Sequence, residues 1–155
     1  EAGLRPLVLW GPGEEEAADR ITAAAPGAVK APPMGIARLG AVIGRLALLA
    51  GVDSGPKHLA VMQGIPTVTL FGPTDPRVWD PMTERHRVVY RDLPCSPCRG
   101  RRCAANVCVS KIEPREVIEE AGLALLHGPA PKGSRGMDGI PSCSGRKSPT
   151  RAATS

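Results

Sequence analysis

Polar residues with phosphate-binding chemistry follow a buried apolar run near the middle of this 155-residue chain. Leu46–Val52 is apolar, and the segment DSGPKH, residues 53–58, comes directly after it. Asp53 and Ser54 are helix-capping residue types, Gly55 permits a tight turn, and a proline suits a first helical turn. The backbone N–H groups of such a helix start favour a phosphate ligand. The alternative is an ordinary capped helix that binds no ligand.

Two charged side chains follow in the same segment. Lys57 and His58 lie in the first turn of the predicted helix. Both side chains can donate hydrogen bonds, so they can add to the donors that the backbone offers to an anion. The segment therefore predicts a phosphate site that combines main-chain and side-chain donors.

Four cysteines form a second group of residues that can do chemistry. Their spacing is C-x2-C-x4-C-x4-C, which is typical of a metal site, and four thiolates complete a tetrahedral zinc site. Reduced thiols and disulfides are the other interpretations. The spacing also resembles a retroviral-type zinc knuckle with a cysteine in place of the usual histidine, although the turn lacks base-stacking aromatic residues. The four residues are Cys95, Cys98, Cys103 and Cys108.

Apolar strands alternate with amphipathic helices and must position these residues. This alternation predicts an α/β domain with a doubly wound, mostly parallel, Rossmann-like sheet. The carboxyl ends of neighbouring parallel strands form a ligand crevice in such a sheet, and the turn at Gly72–Pro76 lies at a second strand end. The predicted strands are Leu7–Trp10, a short strand around Val29, Leu46–Val52, Thr67–Phe71 and His86–Tyr90. The predicted helices are Glu14–Ala25, Met34–Gly44, Lys57–Gln63 and a last helix that opens at Lys111–Glu116.

The sequence after the second turn predicts the burial of two residues. Arg77–Arg85 is predicted to be an irregular loop around a buried Trp79. His86 begins the next strand and is predicted to be a surface residue rather than a catalyst.

Charge and composition predict one domain and a tail. The net charge is +5, but residues 128–155 hold five basic residues and one acidic residue, so the body is nearly neutral. A neutral body lacks the basic face of a nucleic-acid-binding protein. We expect residues 1–127 to form the domain and residues 128–155 to be a disordered basic tail. The chain begins with Glu1 rather than methionine, and we expect it to be a fragment.

Three linked motifs closely resemble the heptosyltransferase family of bacterial glycosyltransferases, glycosyltransferase family 9. They are DSGPxHLA at residues 53–60, GxP at 64–66 and FGPTDP at 71–76, and the resemblance covers roughly residues 7–126. It implies the C-terminal, donor-binding half of a GT-B enzyme that transfers heptose from ADP-heptose to the lipopolysaccharide core. It further implies that catalysis needs no cofactor. The expected location is cytoplasmic, with a peripheral position at the inner membrane as an alternative.

The resemblance also implies roles for individual residues. Asp53, Ser54 and Gly55 would hold the diphosphate, and Asp53 would alternatively accept hydrogen bonds from heptose hydroxyls. Lys57 and His58 would stabilise the leaving diphosphate, although Lys57 departs from the small or apolar residue common at that position of the family. In the first part of the chain, Glu14 or Glu15 would bind the ribose hydroxyls and Met34 would lie against the adenine ring.

Two further classes of function stay open beside this prediction. One is a zinc-knuckle nucleic-acid module, and the other is a vestigial nucleotide-binding domain without activity. By resemblance, Leu7–Trp10 is the second strand of the donor domain, so the first strand–helix unit is expected to be missing. The acceptor would bind through a missing N-terminal domain, so this chain alone is expected not to transfer sugar.

Overall fold

The protein is described by a computed structural model that covers residues 3–98, 103 and 105–128. The chain divides into two compact units, Glu1–Ala41 and Val42–Ser155. Parallel strands alternate with helices in both units, so the predicted α/β class is confirmed. Across the described ranges, no helix has the length and apolar character needed to cross a membrane.

The first unit is built around two short parallel strands. β1 (Leu7–Val8) pairs with β2 (Val29–Lys30), and α1 (Glu15–Ala24) connects them. The indole Nε1 of Trp10 donates to the carbonyl of Ala31 over 2.7 Å. This bond joins the chain segments that leave the two strands at the same edge. The boundary between the two units falls within α2 (Ile36–Ile43).

The second unit contains a three-stranded parallel sheet in the order β3-β4-β5. The strands are β3 (Leu49–Val52), β4 (Thr67–Phe71) and β5 (His86–Tyr90). Its helices are α3 (Gly55–Met62), α4 (Pro76–Trp79), α5 (Val107–Ser110) and α6 (Pro114–Leu126). The central strand β4 contacts α3, α5 and α6. It is buried almost throughout, which is usual for a parallel strand covered by helices.

The core of the second unit lies between the sheet and α6. Val68, Val89 and Ala124 are its buried centre, and partly buried apolar residues pack around them. α6 begins with a capping box in which Glu113 and Glu116 exchange hydrogen bonds with each other's backbone N–H groups. That arrangement satisfies donors that a helix start would otherwise leave unpaired. The surrounding residues are Leu48, Ile112, Val117 and Ala121.

Several predicted elements match the structure closely. The strands Thr67–Phe71 and His86–Tyr90 have the predicted bounds, whereas the first strand ends at Val8 and the third begins only at Leu49. The predicted division into a domain at 1–127 and a basic tail stays a prediction, because residues 129–155 lie outside the described part of the chain.

Two side chains differ from their predicted burial. Trp79 is 52% exposed, because Pro76–Trp79 forms one helical turn, capped by the Asp75 carboxylate at the Arg77 N–H, instead of an irregular loop. His86 is buried rather than on the surface. Its ring Nδ1 lies 3.0 Å from the hydroxyl of buried Thr67, which provides the polar partner that a buried imidazole needs.

Candidate functional site

Two turns meet at the carboxyl-terminal edge of the sheet in the second unit. One follows β3 and leads into α3, and the other follows β4 and leads into α4. The Thr74 hydroxyl donates to Asp53 Oδ2 over 2.9 Å, so a side chain from one turn binds a side chain from the other. Because β3 and β4 are parallel neighbours, both turns leave the sheet at the edge where open α/β sheets bind ligands.

The N-terminus of α3 is open to an anion. Ser54 is the N-cap, and its backbone is extended, but its hydroxyl makes no capping hydrogen bond. Pro56 has no N–H group, and the His58 N–H bonds the Ser54 carbonyl over 3.3 Å. The N–H groups of Gly55 and Lys57 belong to the first turn, which has no helical acceptors for them. Gly55 is exposed, so an anion at this helix start can accept from its N–H group, whereas Lys57 is fully buried.

Asp53 is the residue on which the contacts of the site converge. Its side chain is only 13% exposed, and Oδ1 lies 3.3 Å from Lys57 Nζ and 3.4 Å from His58 Nε2. Neither contact has hydrogen-bond geometry, and Oδ1 has no hydrogen-bond partner among the described residues. The carboxylate therefore attracts the Lys57 ammonium electrostatically and lies close to the His58 ring, while its other oxygen is held by Thr74.

The Lys57 side chain is buried beneath this site instead of facing solvent. Its side chain is 1% exposed, and Nζ donates to the Trp79 carbonyl over 2.5 Å. Nζ also lies 3.5 Å from Asp80 Oδ2 and 5.3 Å from the centre of the Phe71 ring. With this arrangement the ammonium group contacts protein groups on several sides, so its geometry favours a supporting role over direct contact with a diphosphate.

His58 and Trp79 present the exposed part of the site. The His58 side chain is 43% exposed, and its ring lies edge-on to Trp79 with 6.2 Å between the ring centres. Edge-to-face contact of this kind is a favourable arrangement for aromatic rings. His58 is thus partly fixed by Asp53 and Trp79, yet still open to a ligand at the start of α3.

A second histidine close to this network titrates abnormally. Burial lowers the pKa of His86 below its ordinary value of 6.5, and the positive charges of Arg85 and Lys57 lower that pKa further. The negative charge of Asp80 opposes the shift. Because the shift favours the neutral ring, His86 is uncharged at neutral pH.

Sequence reasoning missed three residues of this site: Thr74, Trp79 and Asp80. Thr74 was predicted only as part of a turn that closes the crevice. Asp80 has a side chain with no exposed surface, and its Oδ1 accepts from the Met82 N–H over 2.9 Å. A single acidic residue before a proline gives no sequence signal of burial. Its proximity to Lys57, 23 positions earlier, became visible only in the folded chain.

The residues predicted to bind ribose and adenine lie in the first unit. The Glu14 carboxylate accepts from the Gly11 N–H over 2.8 Å, in the turn that follows β1. Glu15 instead lies 3.3 Å from Lys30 Nζ. Met34 is half-buried and lies between β2 and α2. Of the two glutamates, only Glu14 therefore belongs to the turn at a strand end.

Ser96 and α5 support the turn after β4. The Ser96 hydroxyl donates to the Gly72 carbonyl over 2.7 Å and is buried. A Cβ atom on Gly72 would lie 2.9 Å from Val109 Cγ2 and 3.5 Å from Cys108 Sγ. This close packing leaves no room for a side chain at position 72.

The four thiols do not gather into a metal site in this structure. Cys95, Cys98 and Cys103 are exposed, and Cys108 is half-buried. Among the residues that the structure describes, no three His, Cys, Asp or Glu side chains are placed to hold one metal ion. The donor set has the right chemistry for zinc, but its placement does not fit, so zinc binding stays a prediction and no chemical step here depends on it.

Comparison with known proteins gives consistent results. The model of glycosyltransferase family 9 (heptosyltransferase) matches residues 1–108. The chain is 32% identical over 143 residues to lipopolysaccharide heptosyltransferase 1 of Pseudomonas aeruginosa, a match that covers 81% of this chain and 40% of that protein. It is 38% identical over 72 residues to lipooligosaccharide heptosyltransferase 2 of Campylobacter jejuni, covering 44% and 23% of the two chains.

A solved structure agrees with these sequence matches. It is a glycosyl transferase family 9 protein from Veillonella parvula, 26% identical to this chain with a TM-score of 0.67. The match covers 81% of this chain and 37% of that one. The chain therefore spans well under half the length of each of these relatives.

Proposed function

Because the chain belongs to glycosyltransferase family 9, the heptosyltransferases, we propose that it is the donor-binding part of an enzyme of lipopolysaccharide synthesis. The enzyme would transfer heptose from ADP-heptose to the lipopolysaccharide core. One observation carries the assignment of the site: the Thr74–Asp53 hydrogen bond joins two strand-end turns beside the open N-terminus of α3. Family membership supports a cytoplasmic enzyme, peripheral at the inner membrane.

In this proposal the diphosphate of the donor binds at the start of α3. The N–H group of the exposed Gly55 and the Ser54 hydroxyl donate to the phosphate oxygens. The partly exposed His58 imidazole adds a donor as negative charge grows on the leaving diphosphate. Asp53 cannot donate as a carboxylate, so its role toward the donor is to accept hydrogen bonds from heptose hydroxyls.

The nucleoside end of the donor is assigned to the first unit. Glu14 is the favoured ribose ligand, because it lies in the turn after β1 while Glu15 is engaged with Lys30. A carboxylate can accept hydrogen bonds from both ribose hydroxyls. Met34, half-buried after β2, is the proposed contact of the adenine ring.

The proposed reaction is a displacement at the anomeric carbon of heptose. A hydroxyl oxygen of the acceptor forms the new bond, the bond to the ADP oxygen breaks, and ADP leaves with the electron pair. The acceptor's proton passes to a base from the part of the enzyme outside this chain. The described residues contribute donor binding and stabilisation of the leaving group, and none of their proposed roles needs a metal ion.

An ADP titration of the full 155-residue chain tests the site. We expect the backbone amide signals of Ser54, Gly55, Lys57 and His58 to shift in the NMR spectrum. Thr74→Val removes the hydrogen bond to the Asp53 carboxylate, and a hydrogen bond to a charged group is worth roughly 1.5–3 kcal/mol. Only part of this energy affects the ligand, so we expect ADP binding to weaken about fivefold. Thr22→Val, the same change in α1 where the hydroxyl bonds its own helix, should bind ADP normally. Shifts confined to residues 95–108 would disprove the assignment.

A further inference from the structure

A buried lysine beneath a proposed anion site calls for an explanation, because an ammonium group is costly to bury without partners. Lys57 has one hydrogen bond, to the Trp79 carbonyl, and two carboxylates within 3.5 Å of Nζ. Those carboxylates are Asp53 and Asp80, whose side chains are 13% and 0% exposed. Lys57, Asp53 and Asp80 together therefore carry one positive charge and two negative charges.

We infer that Lys57 is a positioning residue for donor binding, which acts through Asp53 and Trp79 without touching the donor. This inference rests on the proposed function and assigns a role that the family resemblance does not, since an apolar residue is common at this position of the family. The ammonium offsets the charges of Asp53 and Asp80, so that a diphosphate can bind beside a carboxylate. It also holds α4, and with it the Trp79 ring, against the turn after β3.

The arrangement of the ammonium group supports an indirect role. Nζ is surrounded by the Trp79 carbonyl, the two carboxylates and the Phe71 ring. Lys57 is buried as a whole residue, so a ligand at the start of α3 meets the half-buried Ser54 and the exposed Gly55 and not the Lys57 ammonium. Without the ammonium group, the carboxylates of Asp53 and Asp80 would have no positive charge beside them. They would then repel a bound diphosphate, because charge repulsion is weakly screened in a buried, low-dielectric setting.

Removing the charges one at a time and together tests this role. We expect Lys57→Met to weaken ADP binding about tenfold, which corresponds to ~1.4 kcal/mol, and to leave binding of uncharged adenosine unchanged. Lys57→Met combined with Asp80→Asn restores the charge balance, so its ADP affinity should return to within about threefold of the unmodified chain. Asp80→Asn alone should bind ADP at least as tightly as the unmodified chain. The full chain is used throughout, with calorimetry as the assay.

A structural control separates positioning from general loss of stability. Val89→Ala removes core packing away from the turns and should lower the melting temperature without changing ADP affinity. In a Trp10→Phe background the remaining tryptophan is Trp79. Its fluorescence should change in Lys57→Met, because α4 loses the Nζ hydrogen bond that holds it and the indole ring moves to a different environment. If Lys57→Met fails to fold, the double variant carries the test by itself.

Two results would overturn the inference. A folded double variant that binds ADP more than tenfold weaker than the unmodified chain, while its Trp79 spectrum matches that of the unmodified chain, would show that the Lys57 side chain contacts the ligand. An unchanged Trp79 spectrum in Lys57→Met would show that the lysine does not hold α4. Failure of the unmodified chain to bind ADP is a separate outcome that refutes the proposed function, and the Trp79 spectrum then still decides the positioning role.

Discussion

Replacing Gly72 with alanine tests the packing that supports the donor-binding turn. An added Cβ would lie 2.9 Å from Val109 Cγ2, whereas carbon atoms in good contact are about 3.5–4.0 Å apart. Gly72 does not have a positive φ, so alanine is not disfavoured there by backbone strain. The whole penalty is steric, and the stiff χ1 of valine limits how far Cγ2 can move away.

The expected size of the effect follows from two opposing contributions. Overpacking by one methyl group costs about 1–3 kcal/mol, and Gly→Ala recovers roughly 0.4–1 kcal/mol through the lower entropy of the unfolded chain. We therefore expect Gly72→Ala to lower the free energy of unfolding by about 1–2 kcal/mol. At roughly 2–4 °C for each kcal/mol, the melting temperature should fall by several degrees.

Urea denaturation measures this change against two companion variants. Gly51→Ala is the matched control, because a Cβ on this strand residue meets nothing within 4 Å, and it should be neutral or slightly stabilising. In a Val109→Ala background the clashing methyl group is absent. Gly72→Ala should therefore lower the free energy of unfolding much less in that background than in the unmodified chain. If Gly72→Ala proves as stable as Gly51→Ala, Val109 of α5 does not pack tightly against Gly72.

Three other predictions concern pH, metal and turnover. Because the pKa of His86 is lowered on folding, the unfolded chain binds the proton more readily, so the free energy of unfolding should fall as the pH drops below about 6.5. Urea titrations at pH 7.5 and 5.5 measure this loss of stability, and His86→Gln should make it smaller. An unchanged loss in His86→Gln would contradict the assignment. Zinc binding by Cys95, Cys98, Cys103 and Cys108 requires these thiols to come together from their positions in the structure. If they do, native mass spectrometry of protein purified without chelator should show one zinc ion, and metal-free protein in which all five cysteine thiols titrate would refute this. In a radiolabelled ADP-heptose assay with a core acceptor, this chain alone should give no transfer, and turnover above background would show that it holds the whole active site.

Local sequence was sufficient to predict the elements that carry the site. Apolar runs bounded by turn residues located Thr67–Phe71 and His86–Tyr90 at their observed ends. The capping chemistry of Asp53–Pro56 likewise placed the start of α3 within two residues, with the helix beginning at Gly55 instead of the predicted Lys57. These features depend on neighbours within a few positions, which a sequence displays directly.

The tertiary structure decided which side chains of that candidate site are buried and which are exposed. Lys57 and His58 are adjacent in sequence, but Lys57 is buried against Trp79 and Asp80 while His58 stays partly exposed. His86 became a buried residue because Thr67 on the neighbouring strand supplied its polar partner. Burial and charge pairing depend on groups some 20 positions away along the chain, and packing of the sheet and its turns brings those groups together. Residue type and spacing alone therefore predicted where the candidate site lies, while the burial of Lys57 and the partial exposure of His58 depended on the fold.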